Sequence, residues 1–287
     1  MWPAVSSPAF DLQSHSLHSD GELPAAQVVE NAAAAGVELL ALSDHDTVDG
    51  VDEALAAGAV HGVRVVPATE ISAVDGRYED LHVLGYGIDH RSPGLADALE
   101  RFCADRLARG ERMADALREA GLELDVPDRG GRPVGRPHLA MAAFDHPANS
   151  MRLREEGIVN FSQLLERYLV VGAPAYRRRT TPTVADAIEA IHAAGGAAVW
   201  AHPFWDLEAD TAVLDAIDRF AAIGLDGVEA FYVTHTEAQT RLVAAHCAAR
   251  GLLRTGSADF HGPGHPRFNR FRAFDLHGLE PDFGPFI

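Results

Sequence analysis

Six short apolar runs in this chain each end on, or carry, a histidine or a carboxylate, and helical patterns separate most of them. The first leads through Ala9, Phe10 and Leu12 into Gln13-Ser14-His15-Ser16, then His18, Asp20 and Gly21. The run at 37–42 opens onto Ser43-Asp44-His45-Asp46, and the run at 63–68 delivers Thr69-Glu70. The run at 81–86 carries His82. The run at 196–200 ends in Ala201-His202-Pro203, and the run at 252–255 leads to Asp259-Phe260-His261-Gly262. Strands alternating with helices at this spacing predict βα units and a parallel sheet. In a parallel barrel the C-terminal strand ends share one mouth, so these groups would gather there.

The intervening segments read as helices at 23–35, 49–61, 183–194, 212–223 and 237–250. Pro24 opens the first and Gly36 stops it, while Thr183 and Asp186 form a capping box. A further strand at 227–232 holds Glu229 and leads to Thr234-His235-Thr236. The alternation breaks between 91 and 172. A long helix begins at Ser92-Pro93, with Leu95, Leu99, Phe102, Leu107, Met113 and Leu117 at helical spacing. A Pro- and Gly-rich stretch follows at 122–135, then short helices at 136–144, 151–156 and 160–169. This predicts a discontinuous barrel domain of 1–90 and 173–287 interrupted by a helical insertion at 91–172.

Composition closes off several chemistries. All 24 basic residues are arginine, and the chain contains no lysine. Schiff-base and pyridoxal enzymes, Walker-type phosphate loops and hydrolases that bridge metals with a carboxylated lysine are therefore excluded. A net charge of −18 argues against a membrane surface or a long nucleic acid as partner. It leaves a phosphorylated substrate open, because divalent ions invert the local field. No apolar run is long enough to cross a bilayer, and the N-terminus lacks the pattern of a signal peptide. With two cysteines, read as buried free thiols, a cytoplasmic location is expected.

Carboxylates and imidazoles gathered at one mouth would be costly to desolvate without a compensating cation. Imidazole and carboxylate without thiolate favour Zn, Mn or Fe, and a carboxylate such as Glu70 can bridge two ions. Ions held close together suit a hydrolase that activates water and clamps a phosphoryl oxygen.

The motifs at 11–21, Asp44-His45-Asp46, Glu70, His82-Val83-Leu84-Gly85-Tyr86, Ala201-His202-Pro203 and 257–262 together resemble the polymerase-and-histidinol-phosphatase (PHP) superfamily. Gly135-Arg136-Pro137-His138, Pro174-Ala175-Tyr176 and Gly227-Val228-Glu229 make the chain similar to stand-alone 3′,5′-nucleotide bisphosphate phosphatases within it. The resemblance covers residues 10–265. It implies an α/β fold, a distorted (β/α)7 TIM-like barrel of the PHP type with a helical insertion. It also implies two or three divalent ions and hydrolysis of a phosphate monoester by metal-activated water. Carried over by position, one site takes His15, Glu70 and Asp259, a second Glu70, His82 and His202, and a third Asp20, His45 and His261. Arg136, His138, Arg177 and His235 are the implied substrate contacts. Asp259 and His235 are the candidate catalytic groups, His235 as a proton donor.

The chain departs from that pattern in three places. Gln13 stands where the family has the first histidine of His-x-His, and an amide oxygen binds a transition metal more weakly than imidazole. Gly172-Ala173-Pro174 lacks the family's lysine. Phe204-Trp205 replaces a Gly-Arg pair, for which Arg177, Arg178, Arg179 or Arg267 could substitute. The partner expected is a small phosphorylated substrate, most simply a nucleotide. The rival readings are a degenerate barrel that binds a nucleotide or protein without turnover, and a metal-dependent hydrolase of another bond. His18 is read as no ligand, and Asp44 and Asp46 as groups that orient His45.

Overall fold

The computed structural model describes residues 8–76, 78–128, 133–205 and 207–286. Seven strands lie side by side in chain order: β1 (Phe10–Asp11), β2 (Leu39–Leu42), β3 (Arg64–Asp75), β4 (Tyr78–Tyr86), β5 (Ala197–Trp200), β6 (Gly227–Tyr232) and β7 (Leu253–Ser257). The sheet curls into a nearly closed barrel. Helices α1 (Ala25–Ala34) and α2 (Val51–His61) link the first three strands, and α7 (Val184–Ala193), α8 (Asp210–Ala221) and α9 (Glu237–Ala248) precede the last three. Thr183 and Asp186 cap α7 reciprocally, as the sequence predicts. Together these elements are the distorted seven-stranded barrel with a helical insertion anticipated from the motifs.

One strand corrects the expectation of a parallel sheet. β4 runs antiparallel to both β3 and β5, while the other neighbours pair in parallel. The cause is connection length: only two positions separate β3 from β4, and a parallel return needs a crossover of about a dozen residues. Asp75-Gly76 is the signal that carries this, an Asp-Gly step between two strand-forming runs. Gly76 takes φ +55, which its missing side chain allows. Because β4 is reversed, His82 reaches the mouth from within its strand, opposite Ser72 of β3.

β1 meets β7 to close the sheet. Leu12 N donates to Gly256 O at 3.2 Å and His15 N to Phe260 O at 2.8 Å. Asp11 fastens the same seam with its buried carboxylate, which accepts Ala258 N at 2.9 Å and Arg272 N at 2.8 Å. Leu12, Leu40, Ile71, Leu84, Tyr86, Trp200 and Phe231 are fully buried. Tyr86 keeps its hydroxyl satisfied on Leu12 O at 2.7 Å.

The chain divides into two compact units, Met1–Ala98 with Pro182–Ile287, and Leu99–Thr181. The second contains most of α3 (Pro93–Glu119), with α4 (Arg136–Asp145), α5 (Ser150–Glu155) and α6 (Phe161–Tyr168). Asn160 caps α6 by accepting Gln163 N at 3.0 Å. Met113, Leu117, Leu122, Leu139, Leu164 and Leu169 form this unit's own core. Among the described residues no helix is long and apolar enough to cross a membrane. The two cysteines form no disulfide; Cys247 is buried and Cys103 only half-buried.

Asp11→Ala leaves two backbone donors at the seam without an acceptor. It is expected to lower unfolding free energy by about 2–4 kcal/mol, read by urea denaturation.

Candidate metal centre

Glu70 sits on β3 with no exposed surface, and four histidines surround it. Its Oε2 lies 3.1 Å from His15 Nε2 and 3.6 Å from His45 Nδ1. Its Oε1 lies 2.7 Å from His82 Nδ1 and 3.3 Å from His202 Nε2. His15 Nε2 is also 3.1 Å from Asp259 Oδ1. Farther out, Asp20 is 3.6 Å from His45 Nε2 and 3.5 Å from His261 Nε2.

Three groups of side chains present ligand atoms close enough to share an ion: His15, Glu70 and Asp259; His45, Glu70 and His82; and His15, Asp20, His45 and His261. His202 adjoins the second group, its Nε2 3.2 Å from His82 Nδ1. The imidazoles also pack on one another, with His15 stacked against His45 and His261 at centroid distances of 4.6 and 4.2 Å.

These residues fit a cation. His15 Nε2, His45 Nδ1 and Asp259 Oδ1 are buried and make no hydrogen bond among the described residues, although partners stand 3.1–3.6 Å away. Orphaned buried polar atoms cost about 1–3 kcal/mol each, and converging lone pairs repel. A divalent ion between them removes both penalties. Burial works against charge on Glu70, yet the surrounding imidazoles outweigh it and hold its pKa well below the ordinary carboxylate range. Asp259 and Asp20 follow the same pattern. His15 is the converse: burial opposes its charge, and Asp259 and Glu70 prevail and raise it. The cluster thus holds anionic carboxylates that demand positive charge, as protons or as metal.

The loops that carry the ligands are tied from behind. Asp44 accepts Ser16 N and Ser16 Oγ, each at 2.7 Å, and Ser19 Oγ at 2.6 Å. Asp46 accepts Ser72 N at 3.0 Å and Ser72 Oγ at 2.8 Å. In these contacts the aspartates flanking His45 brace the loops at Ser16 and Ser72, where the sequence has them orient His45. Gly21 closes the first loop, where a Cβ would lie 2.3 Å from His15 O. His202 and Asp259 hold φ of +29 and +56, unusual backbone for residues with side chains.

Several supporting contacts join groups remote in the chain, which no local pattern in the sequence announces. Tyr232 donates to Asp259 Oδ2 at 2.7 Å, leaving Oδ1 toward His15. Glu229 accepts His202 N at 2.9 Å and the hydroxyl of Ser257. Burial pushes the Glu229 carboxyl well above its ordinary range. Gln13, whose amide oxygen was the doubtful ligand, instead turns its NH2 toward Glu70 and donates to Oε2 at 2.9 Å. Ser257 Oγ lies 3.3 Å from Gln13 Oε1.

His235 follows β6 with Nδ1 3.1 Å from Ala230 O, so its Nδ1–H donates and Nε2 carries the lone pair. Nε2 is buried and has no hydrogen-bond partner among the described residues. Burial lowers the His235 pKa to about 4, so at neutral pH the ring is uncharged, a weak base whose Nε2 can accept a hydrogen bond and holds no proton to give. Arg136 and His138 stand in the first turn of α4 in the other unit, with His138 Nδ1 accepting Gly135 N at 3.2 Å. The Arg177 guanidinium donates to Pro174 O and Tyr176 O, at 3.1 and 2.9 Å.

A barrel with such a mouth defines a metal-dependent hydrolase, and the comparisons agree. The chain is 33% identical over 264 residues to a 3′,5′-nucleoside bisphosphate phosphatase of Chromobacterium violaceum, covering 89% of this chain and 88% of that one. It is 34% identical over 258 residues to a 5′-3′ exoribonuclease of Haemophilus influenzae, covering 88% and 90%. A solved structure of an amidohydrolase from Chromobacterium violaceum with bound sulfate matches with TM-score 0.71 and 32% identity, over 92% of this chain and 94% of that one. No family model matches the chain. The protein belongs to the PHP superfamily of metal-dependent phosphoesterases.

Two outcomes follow. Gln13→His replaces the donor on Glu70 with a further imidazole and should keep or raise the metal bound per chain, measured by elemental analysis; Glu70→Ala should remove most of it. The second concerns pH. An unfolded His235 takes its proton near 6.5 and the folded one near 4. Its contribution to stability is complete above pH 6.5 and is lost as pH falls toward 4. His235→Phe should flatten the acid limb of melting temperature against pH.

Proposed function

We propose that this protein hydrolyses a phosphate monoester of a nucleotide, such as a nucleoside 3′,5′-bisphosphate, with two or three Mn, Zn or Fe ions held by His15, Asp20, His45, Glu70, His82, His202, Asp259 and His261. The observation that carries this is Glu70, a buried carboxylate with both oxygens turned to imidazoles, beside a relative named for that reaction. Divalent ions bound there supply Lewis-acid stabilisation of phosphoryl oxygens and lower the pKa of water.

The chain's own residues supply position. Tyr232 fixes one oxygen of Asp259, and Glu229 holds the backbone of His202. The carbonyl of Asp259 lies 2.7 Å from His261 Nδ1, which sets that nitrogen as donor and turns the Nε2 lone pair toward Asp20. His235 offers its Nε2 lone pair as an acceptor for a substrate hydroxyl. Arg136, His138 and Arg177 are the proposed phosphate contacts. The positive end of α4 disfavours an unpaired cation in its first turn, which supports an anion as the partner of Arg136.

Two other relatives support a second reading, an exonuclease or diesterase. One is the exoribonuclease of Haemophilus influenzae. The other, 33% identical over 88% of this chain, is a phosphoribosyl 1,2-cyclic phosphate 1,2-diphosphodiesterase of Eggerthella lenta. The charge of −18 favours the small substrate.

The test is release of inorganic phosphate by Mn-loaded protein from nucleoside 3′,5′-bisphosphates, nucleoside monophosphates and cyclic phosphates, with mononucleotide release from 5′-phosphorylated RNA in parallel. Turnover of the bisphosphate is expected to exceed that of the others by at least about tenfold, a transition-state difference of about 1.4 kcal/mol. Inactivity toward all of them would remove the assignment.

A further inference from the structure

We propose that Trp205 is a stacking platform for the base of a nucleotide whose phosphate occupies the metal centre, with Arg267 bracing the indole; this rests on the phosphoesterase reading above. Among the exposed large hydrophobic residues in the described part of the chain, Trp205 is the one aromatic, half in solvent at 50%. An indole left open to water forfeits much of the stabilisation its burial would give. It is also fixed in place. Its ring centroid lies 6.2 Å from that of His202, in T-shaped contact, and 5.8 Å from that of Phe268. The Arg267 guanidinium lies over the ring, 5.5 Å from its centroid. The exposed ring thus touches an imidazole that faces Glu70.

Its neighbours back it from within, with Phe268, Tyr232 and His261 buried. Phe268 lies near Tyr232, His261 and His265, with centroids 6.2, 5.5 and 5.0 Å away, and the His265 ring stacks on it. Two of these neighbours bear directly on the metal centre: Tyr232 holds Asp259, and His261 faces Asp20. The aromatic layer behind Trp205 is therefore continuous with the ligand set. Arg267 forms no ion pair with a carboxylate among the described residues, in a chain where acids outnumber arginines 42 to 24. A positive charge kept free of acids, on an exposed indole, beside a cluster suited to phosphate, selects a planar and anionic ligand. A nucleotide supplies both: a π-face for Trp205 and charge toward Arg267.

The chemistry also explains why the platform need not distinguish bases. Stacking accepts any base because each has a π-face, and no buried polar side chain in the shelf is directed at a base edge in the contacts above. The shelf thus selects nucleotides over other phosphomonoesters and leaves the base open.

The experiment compares adenosine 5′-monophosphate with ribose 5-phosphate, which shares the phosphate and sugar and lacks the base. Steady-state kinetics on Mn-loaded wild type, Trp205→Ala, Trp205→Phe and Arg267→Ala give KM and kcat for each. Tryptophan fluorescence of the same Mn-loaded proteins is recorded on rapid mixing with both compounds, before turnover. Trp205→Ala should raise KM for the nucleotide about tenfold and change that for ribose 5-phosphate less than about twofold. Trp205→Phe should recover most of the loss, and Arg267→Ala should show a smaller shift of the same kind. The nucleotide should quench wild-type fluorescence, and Trp205→Phe should abolish the quench. Equal effects of Trp205→Ala on both compounds, or none on the nucleotide, overturn the platform. A quench that survives in Trp205→Phe does the same. If neither compound is hydrolysed but the base-dependent quench is present and lost in Trp205→Phe, the phosphoesterase reading fails and the platform stands.

Discussion

A carboxylate with no exposed surface and four imidazoles within 3.6 Å is the constraint on which this structure turns. Among the described residues no arginine is paired with Glu70, and two of the atoms facing it, His15 Nε2 and His45 Nδ1, make no hydrogen bond. Such an arrangement is unfavourable as a dry core and favourable around cations, since each anionic oxygen and each lone pair then acquires a partner. The ligands come from positions 15 to 261, so the barrel must bring six separate segments to one end to build the cluster. Stability and function are coupled there: the same contacts that gather the ligands leave the apo cluster electrostatically strained.

The scaffold meets that demand by anchoring backbone as well as side chains. Asp44 and Asp46 hold the loops at Ser16 and Ser72, Glu229 holds the amide of His202, and Tyr232 holds the far oxygen of Asp259. His202 and Asp259 both adopt left-handed backbone, a cost the surrounding hydrogen bonds offset. Gln13 enters the same network as a donor. Its amide hydrogen-bonds Glu70 where a lone pair would be needed to bind an ion, so one edge of the cluster is closed by a neutral group.

Much of the fold was legible in the chain because each barrel strand is a short apolar run that ends in a chemically distinctive group. His15, His45, His202 and Asp259 could be assigned to strand ends from such breaks alone. The direction of β4 was not read, although Asp75-Gly76 signals a hairpin, because an apolar run looks the same in either direction. The bracing roles of Asp44, Tyr232, Ser257 and Glu229 depend on partners between 25 and 28 positions away, with no local pattern to betray them. The orientation of the Gln13 amide likewise depends on Glu70, 57 positions downstream. The shelf at Trp205 is a meeting of two loops, and neither loop alone implies it.

Anomalous diffraction from crystals of the protein loaded with Mn or Zn, collected at the absorption edge of the metal, tests the central claim most directly. More than one anomalous peak is expected at the barrel mouth, with Glu70 oxygens within about 2.0–2.3 Å of at least one of them. Strong peaks elsewhere in the molecule, with none within coordinating reach of Glu70, would contradict the claim that cations hold this cluster together.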